Sequence, residues 1–488
     1  MELYSIIFRL AKPEWYSNYD PNSNRISDLS YPYLKDIDDH FGRYNDSKAV
    51  KMALEMSEKG FSAGYLFLLA LYTDTGDKEI LEEIVSNTDV SEEEVKEFIA
   101  AANEFSKETN FPEFYKNHTE FYNEIVERFV KDNQDAASVL PVAEAFFQIK
   151  LKEVTLLLAP SLANYYFSDS FGNSKNTSIY ISIGIYYVRS GKPLFNTDRV
   201  WVNAPLAIVW LTSAPLFSDA LKPYEANLSQ YQALYDAVVE VMKMWDIDDV
   251  SEMVMATSDA AFTTYYLNFT YGSKTADDYM WIETTAGLYM LPEFMKVVSI
   301  YTSGDNMTLD DLVRRFVETT DEVYTKTNGG KDLSKVIATP TVLDFIRNAK
   351  KTGAKVFYTT AGMDEARRMA AIFDYNGVKN YTLQSALNLS SKDMKGNVVL
   401  ILNSDDLLFQ LLKDKVSVEF NGSTVYSKVT GKRYKGSVVF VEIIENPWDK
   451  NGLIYLEITQ DWTLSTRFSV FYLTHYAIYQ AGKLLETR

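Results

Sequence analysis

The chain contains no cysteine, and only three histidines, His40, His118 and His475, among its 488 residues. The first absence excludes disulfides, thiol nucleophiles and thiolate metal sites together. The second leaves the stretch from 119 to 474 without an imidazole. Basic clusters are missing too: no run of five or more Lys or Arg occurs, and Lys432-Arg433 with Lys435 is the nearest approach. With 67 acids against 48 bases the formal charge is −19. Such a field disfavours nucleic acid and anionic membrane surfaces, because both reward clustered cations. The most apolar long stretch, Pro205 to Leu221, is interrupted by Thr212, Ser213, Ser218 and Asp219 and is short for a bilayer, so no membrane span is expected.

Other signatures fail on inspection. Gly329-Gly330-Lys331 lacks the upstream glycine spacing and the following Ser or Thr of a P-loop, and no Gly-x-Ser-x-Gly elbow or dinucleotide fingerprint occurs. Thr360-Ala361-Gly362-Met363 could present backbone N–H groups at a helix start, but one glycine makes an ordinary strand-to-helix loop the better reading. No cofactor is expected. The opening Met1 to Arg9 has neither the basic start nor the small-residue cleavage site of a signal peptide, so the expected location is cytoplasmic. The alternative is an exported protein whose leader is absent from this chain. It draws on Asn-x-Ser/Thr sequons at Asn45, Asn117, Asn176, Asn227, Asn268, Asn306, Asn380, Asn388 and Asn421.

What the chain has is apolar and aromatic mass. Hydrophobic residues make up 47%, enough for large cores, and the length suggests two or three domains. Tyrosine (34) far outnumbers tryptophan (7), and its half-apolar, half-polar ring suits both cores and interfaces. That surplus motivates an expected homo-oligomer, with Ile179 to Val188 and the aromatic tail from Phe468 to Ile478 as the segments to watch.

Residues 1–150 read as helical. Apolar residues recur at helical spacing over Ala49–Ser57 and Ala63–Tyr72, and Ser91 with Glu94 forms a capping box that opens a helix through Phe105. A further helix is expected from Phe111 to about Lys131, with Phe121, Ile125 and Phe129 on one stripe. Val154–Leu158 and Ile179–Val188 read as strands. Helices are expected over 204–221, 228–245 and 250–270, and from Thr308. Thr327 to Lys331 is the best linker, dividing a 151–325 region from a domain at 335–488. In that domain strands (355–360, 397–402, 416–420, 437–444, 453–458) alternate with helices (343–351, 363–373, 407–413), and a terminal helix is expected over Thr463–Leu484. The fold class is therefore α+β, a mostly helical body with a small sheet followed by an α/β domain.

Several strings carry a family resemblance: Glu2 to Ala11, Tyr33 to Phe41, Ala49-Val50-Lys51, and Asn110-Phe111-Pro112-Glu113-Phe114-Tyr115. In their order and spacing, over residues 1 to about 320, the chain resembles a family of zincin-like zinc peptidases of bacteria and archaea whose function is unassigned. Active-looking members carry a His-Glu-x-x-His helix, two zinc ligands one turn apart with a general base between them. A later helix supplies an acidic third ligand. Here the first helix falls on 208–221, with Trp210 and Ala214 at the ligand positions and Leu211 at the base. The second falls on Phe262–Asn268, with Thr264 in place of the acid. The resemblance thus implies the body of a peptidase with its zinc site lost.

The region around Asn397–Asp406 and Val438–Asp449 resembles a small α/β module appended to archaeal and bacterial surface proteins and hydrolases. The loop Asn403-Ser404-Asp405-Asp406 lacks that module's glycines. Oxygen-only metal binding by Asp219, Glu225, Asp259, Asp277 and Asp278 would suit Ca²⁺ or Mg²⁺, but solvated helix faces explain these acids more simply. His40 and His118 read as surface or capping residues. The expected function is therefore a non-catalytic, peptidase-like protein that binds a protein or peptide or assembles with itself. The alternative is a hydrolase that uses the carboxylates of Asp277 and Asp278 or of Asp405 and Asp406.

Overall fold

The computed structural model describes residues 1–17, 31–163, 166–173, 176–189, 191–195, 205–304, 307–387, 389, 392–460, 462 and 470–488. Asn306, Asn388, Phe468 and residues 463–469 of the expected terminal helix lie outside these. The chain forms two compact units, Met1–Asp219 and Ala220–Arg488. Helices and several sheets make it an α+β protein.

Among the described residues of the first unit, the elements up to Phe147 are all helices. Their starts follow the sequence chemistry. Ser47 accepts from the Val50 N–H, and Ser91 and Glu94 complete a reciprocal capping box over the helix Glu92–Glu108, satisfying donors that the first turn leaves unpaired. The helix expected over 111–131 is in fact two, Phe111–Asn117 and Thr119–Asp132, joined at His118 with φ −102° and ψ 9°. There the His118 ring nitrogen Nδ1 bonds the Phe114 carbonyl at 2.8 Å. The core is aromatic: Phe8, Phe41, Phe61, Phe67, Phe98 and Phe105 are all buried, with Phe8 stacked on Phe61 at 5.4 Å.

Four strands follow, β1 (Leu151–Ala163), β2 (Tyr166–Asn173), β3 (Asn176–Arg189) and β4 (Lys192–Phe195). β3 is central, parallel to β1 and antiparallel to β2 and β4. Ile179, Ile181, Ile183 and Ile185 are completely buried along it. These isoleucines, one of the two segments behind the oligomer expectation, are thus part of the unit's own core.

The second unit begins with helices, the longest being Val250–Tyr271 and Leu309–Lys326. The expected helix over 228–245 is instead short turns of helix interrupted at Val238, φ −133° and ψ 19°. A seven-stranded sheet follows, in the order β14-β13-β11-β12-β7-β5-β6. Its members are β5 (Ala354–Tyr358), β6 (Tyr381–Ser385), β7 (Asn397–Asn403), β11 (Val439–Glu445), β12 (Leu453–Thr459), β13 (Tyr476–Gln480) and β14 (Lys483–Thr487). A separate antiparallel sheet holds β8 (Val418–Asn421), β9 (Thr424–Ser427) and β10 (Arg433–Lys435).

β6, β5, β7 and β12 run parallel, and β11, β13 and β14 add on antiparallel. One face (Val356, Val399, Ile401, Tyr455) packs with Phe345, Ile346, Met369 and Phe373 from the helices Val342–Thr352 and Met363–Tyr375. The other face (Val398, Leu400, Ile454, Leu456) packs with Leu408, Val416 and Val425. The Asn446-Pro447 string ends β11, and its asparagine ties down the chain before β7, donating to the carbonyls of Met394 at 2.6 Å and Gly396 at 2.8 Å.

One expectation is corrected outright. Residues 476–487 are not helix but a hairpin, β13 and β14, turning at Ala481 and Gly482 with φ 49° and 77°. Tyr476, Ala477, Ile478 and Tyr479 are buried on both faces of the sheet, so the run shows no alternation, and a doubly covered strand then looks like a buried helix. Of the described part of the aromatic tail, Leu473 and Tyr476 to Ile478 are core, and Phe471 and Tyr472 are half-buried.

Candidate functional site

Trp210, Leu211 and Ala214 lie on the helix Leu206–Leu221 of the first unit. Leu211 is buried and Trp210 is 44% exposed. Thr264 belongs to the second unit, on Val250–Tyr271, and is buried with its hydroxyl turned back onto the Ala260 carbonyl at 2.7 Å. Among the described residues, no three His, Asp or Glu side chains are grouped so as to hold a metal ion.

The alternative carboxylates have local partners. Asp278 is held by Lys274 at 2.8 Å one helical turn away, and Asp277 is exposed. Asp406 accepts the Asn403 N–H at 2.7 Å and closes the turn after β7; burial raises its pKa, with the Asp405 charge adding to it. His40 and His118 come together around the Phe114 ring, at 5.0 and 4.3 Å, and line a 410 Å³ surface pocket with Asp36, Asp39 and Glu113. Both imidazoles are engaged in the fold, His40 with the Thr109 carbonyl and His118 with the Phe114 carbonyl and Asp36.

The larger feature is a cleft of about 740 Å³ in the first unit. Its walls come from three places far apart in sequence: Leu3 on the first helix, Phe111, Ile125 and Phe129 on the two helices that meet at His118, and Leu156 to Leu158 on β1. At its mouth Tyr115, Val126 and Val130 are 45%, 49% and 61% exposed. Apolar side chains that open to solvent around a concavity of this size are the usual form of a ligand site.

The polar end of the cleft is Glu2. Its Oε1 accepts from the Tyr33 hydroxyl at 2.5 Å, and the Tyr33 and Tyr122 hydroxyls are 2.7 Å apart. Packing fixes this chain of groups: the Tyr33 ring stacks on Phe121 at 4.6 Å, the Tyr31 hydroxyl is anchored on the Pro160 carbonyl, and Tyr16 donates to Ser161 O at 3.0 Å. Arg9, two turns along the same helix, is clamped by Asp38 through two bonds of 2.9 and 2.8 Å. Burial pushes the Glu2 carboxyl up, opposed by the Tyr33 hydroxyl; burial and the Glu2 charge both raise Tyr122. Met1 also lines the cleft, and burial lowers the pKa of its α-amino group. A carboxyl in an apolar cleft, held by tyrosines, can bind and orient a polar group.

No local string in the sequence marks this site. The one available signal is Val126 and Val130, each directly after a stripe residue (Ile125, Phe129), which widen the apolar face of Thr119–Asp132 beyond what a core-facing stripe needs.

A second cluster lies on the face of the large sheet. Arg368 bonds both Glu365 and the fully buried Glu457, and Tyr455 donates to Glu457 at 2.5 Å. Burial, then the nearby Glu365 charge, raises the Glu457 pKa to about 8.

Residues 1–204 match the model of a family described as a domain of unknown function (DUF4932). No curated protein and no solved structure matches the chain.

Proposed function

We propose that this protein is a non-catalytic binding protein, a relative of zincin-like peptidases that has lost the zinc ligands, and that it takes an apolar peptide segment in the cleft of its first unit. The observation that carries this reading is the 740 Å³ apolar cleft rimmed by exposed Tyr115, Val126 and Val130. Its volume is in the range of known ligand sites, and several apolar side chains of a partner would fill it. The peptidase ancestry rests on the strings of the first 120 residues and on the placement of Trp210, Leu211, Ala214 and Thr264. A charged ligand set kept without its metal would be costly to bury, and apolar replacement relieves that cost.

The rival hydrolase reading has less support, since Asp278 and Asp406 are spent on Lys274 and on a turn.

Two measurements test the proposal. Fluorescence anisotropy with a library of short apolar peptides should find binders that compete for one site and are lost from a variant with Asp at 126 and 130. Elemental analysis of protein grown with added zinc should find far less than one zinc per chain, with no peptidase activity. Stoichiometric zinc removable by chelator together with loss of proteolysis would overturn the reading.

A further inference from the structure

Among the described residues lining the cleft, Glu2 is the one acidic or basic side chain. No Lys, Arg or His of that lining is available to meet an anion. We propose that the cleft selects a peptide segment with one lysine among apolar residues, its ammonium meeting the Glu2 carboxylate while its neighbours fill the apolar walls. This rests on the cleft being the peptide site.

Three observations lead there. An acidic ligand group would approach Glu2 with only the Met1 α-amino group, whose charged form burial disfavours, to balance two negative charges, which low-dielectric surroundings penalise. A wholly apolar ligand would cover Glu2 and add no opposite charge to the Tyr33 hydroxyl it already has. A lysine does neither: its four-carbon stem is apolar and can lie along Leu3 and Leu157, and its head carries the complementary charge. Glu2 also discriminates between the two basic side chains. One of its oxygens already accepts from Tyr33, so one arm of a guanidinium fork would have to share that oxygen with the tyrosine, whereas a compact ammonium needs only the other. The formal charge of −19 draws cations towards the protein in the first place.

The test is a set of fluorescent peptides of about nine residues, identical except for a central lysine, norleucine, arginine or glutamate, titrated by anisotropy into full-length protein tagged at its C-terminus. The lysine peptide should bind about 10-fold tighter than the norleucine peptide, with glutamate weakest. Glu2→Gln should bring the ratio of lysine to norleucine affinity, both measured in that variant, from about 10 to about 1. Equal affinity for lysine and norleucine, or a preference that survives Glu2→Gln, would overturn the lysine inference while leaving the cleft as a peptide site. Binding of alkylamines or alkyl alcohols with no peptide binding would overturn both. If Glu2→Gln does not fold, the wild-type peptide series still decides.

Discussion

Arg368 reaches the carboxyl of Glu457 at 2.9 Å on a sheet face where Glu457 has no exposed surface, and the same guanidinium also holds Glu365. One half-buried cation is thus shared by two carboxyls. Their mutual repulsion adds to burial in holding a proton on Glu457 up to a pH of about 8.

The consequence is a stability that falls towards alkaline pH. Glu457 near 8, and Glu442 and Asp169 near 7, are all raised from ordinary carboxyl values, in each case mainly by burial. An acid whose folded pKa exceeds its unfolded one contributes stability that is fully present below the unfolded value and is lost as pH rises through the folded value. The window here runs from about pH 4 to about pH 8, and at about 1.4 kcal/mol per pKa unit the loss between pH 5.5 and 8.5 should be on the order of 5 kcal/mol in the second unit, from Glu457 and Glu442, and about 2 kcal/mol in the first, from Asp169. Calorimetric or fluorescence melts should therefore place the second unit's Tm at pH 5.5 on the order of 10 °C or more above that at pH 8.5. A flat or rising profile would contradict the assignment.

Substitutions at the cluster should divide by charge. Arg368→Met removes the shared cation and should cost about 3–5 kcal/mol at pH 8, less at pH 5.5 where Glu457 is neutral. Glu457→Gln keeps an acceptor for the Tyr455 hydroxyl and should cost about 1 kcal/mol at pH 7 while flattening the pH profile. Urea midpoints at the two pH values separate the cases.

Gly452→Ala should fail for a backbone reason. A Cβ at that position would sit 2.0 Å from the Gly396 carbonyl oxygen and 2.5 Å from its carbon. No rotamer can relieve a clash with main chain. We expect a loss above about 3 kcal/mol, read as insoluble expression or a midpoint shift in the second unit's transition.

Val126→Asp combined with Val130→Asp tests the cleft without touching the core. Both residues are largely exposed, so Tm should stay within about 2 °C of wild type. Peptide affinity should fall about 10-fold or more, because a desolvated carboxylate at the rim must lose water whenever the ligand closes over it. Retained affinity would move the binding site elsewhere.

Much of the fold was legible because it follows local chemistry. The capping boxes at Ser91 and Thr308 mark two helix starts correctly, and β7, β11 and β12 appear as short β-rich runs bounded by polar turns. The sequence misled where tertiary cover erased the pattern. Tyr476 to Tyr479 are buried on both sides, so period two vanished, and only Ala481-Gly482 hinted at the hairpin. The cleft was illegible for another reason: Glu2, Tyr33, Tyr122 and Leu157 are neighbours only after folding, and no spacing rule relates them. Conversely, Asp277 and Asp278 and Asp405 and Asp406 were easy to see as adjacent acids, while the partners that hold Asp278 and Asp406, Lys274 and the Asn403 N–H, appear only in the fold.

The first helix of the chain, Glu2–Ala11, lies in one core with Ala159, Leu162 and Ile185. A ribosome adds about 5–20 residues per second, so roughly ten seconds or more separate the emergence of Phe8 from that of Ile185. Phe8 can meet Phe61 and Phe98 early in that interval, but the side of the helix that packs on the sheet stays uncovered until the strands are made. A pause in synthesis before β3 would lengthen the exposure of that apolar face, and a holdase chaperone would shorten it.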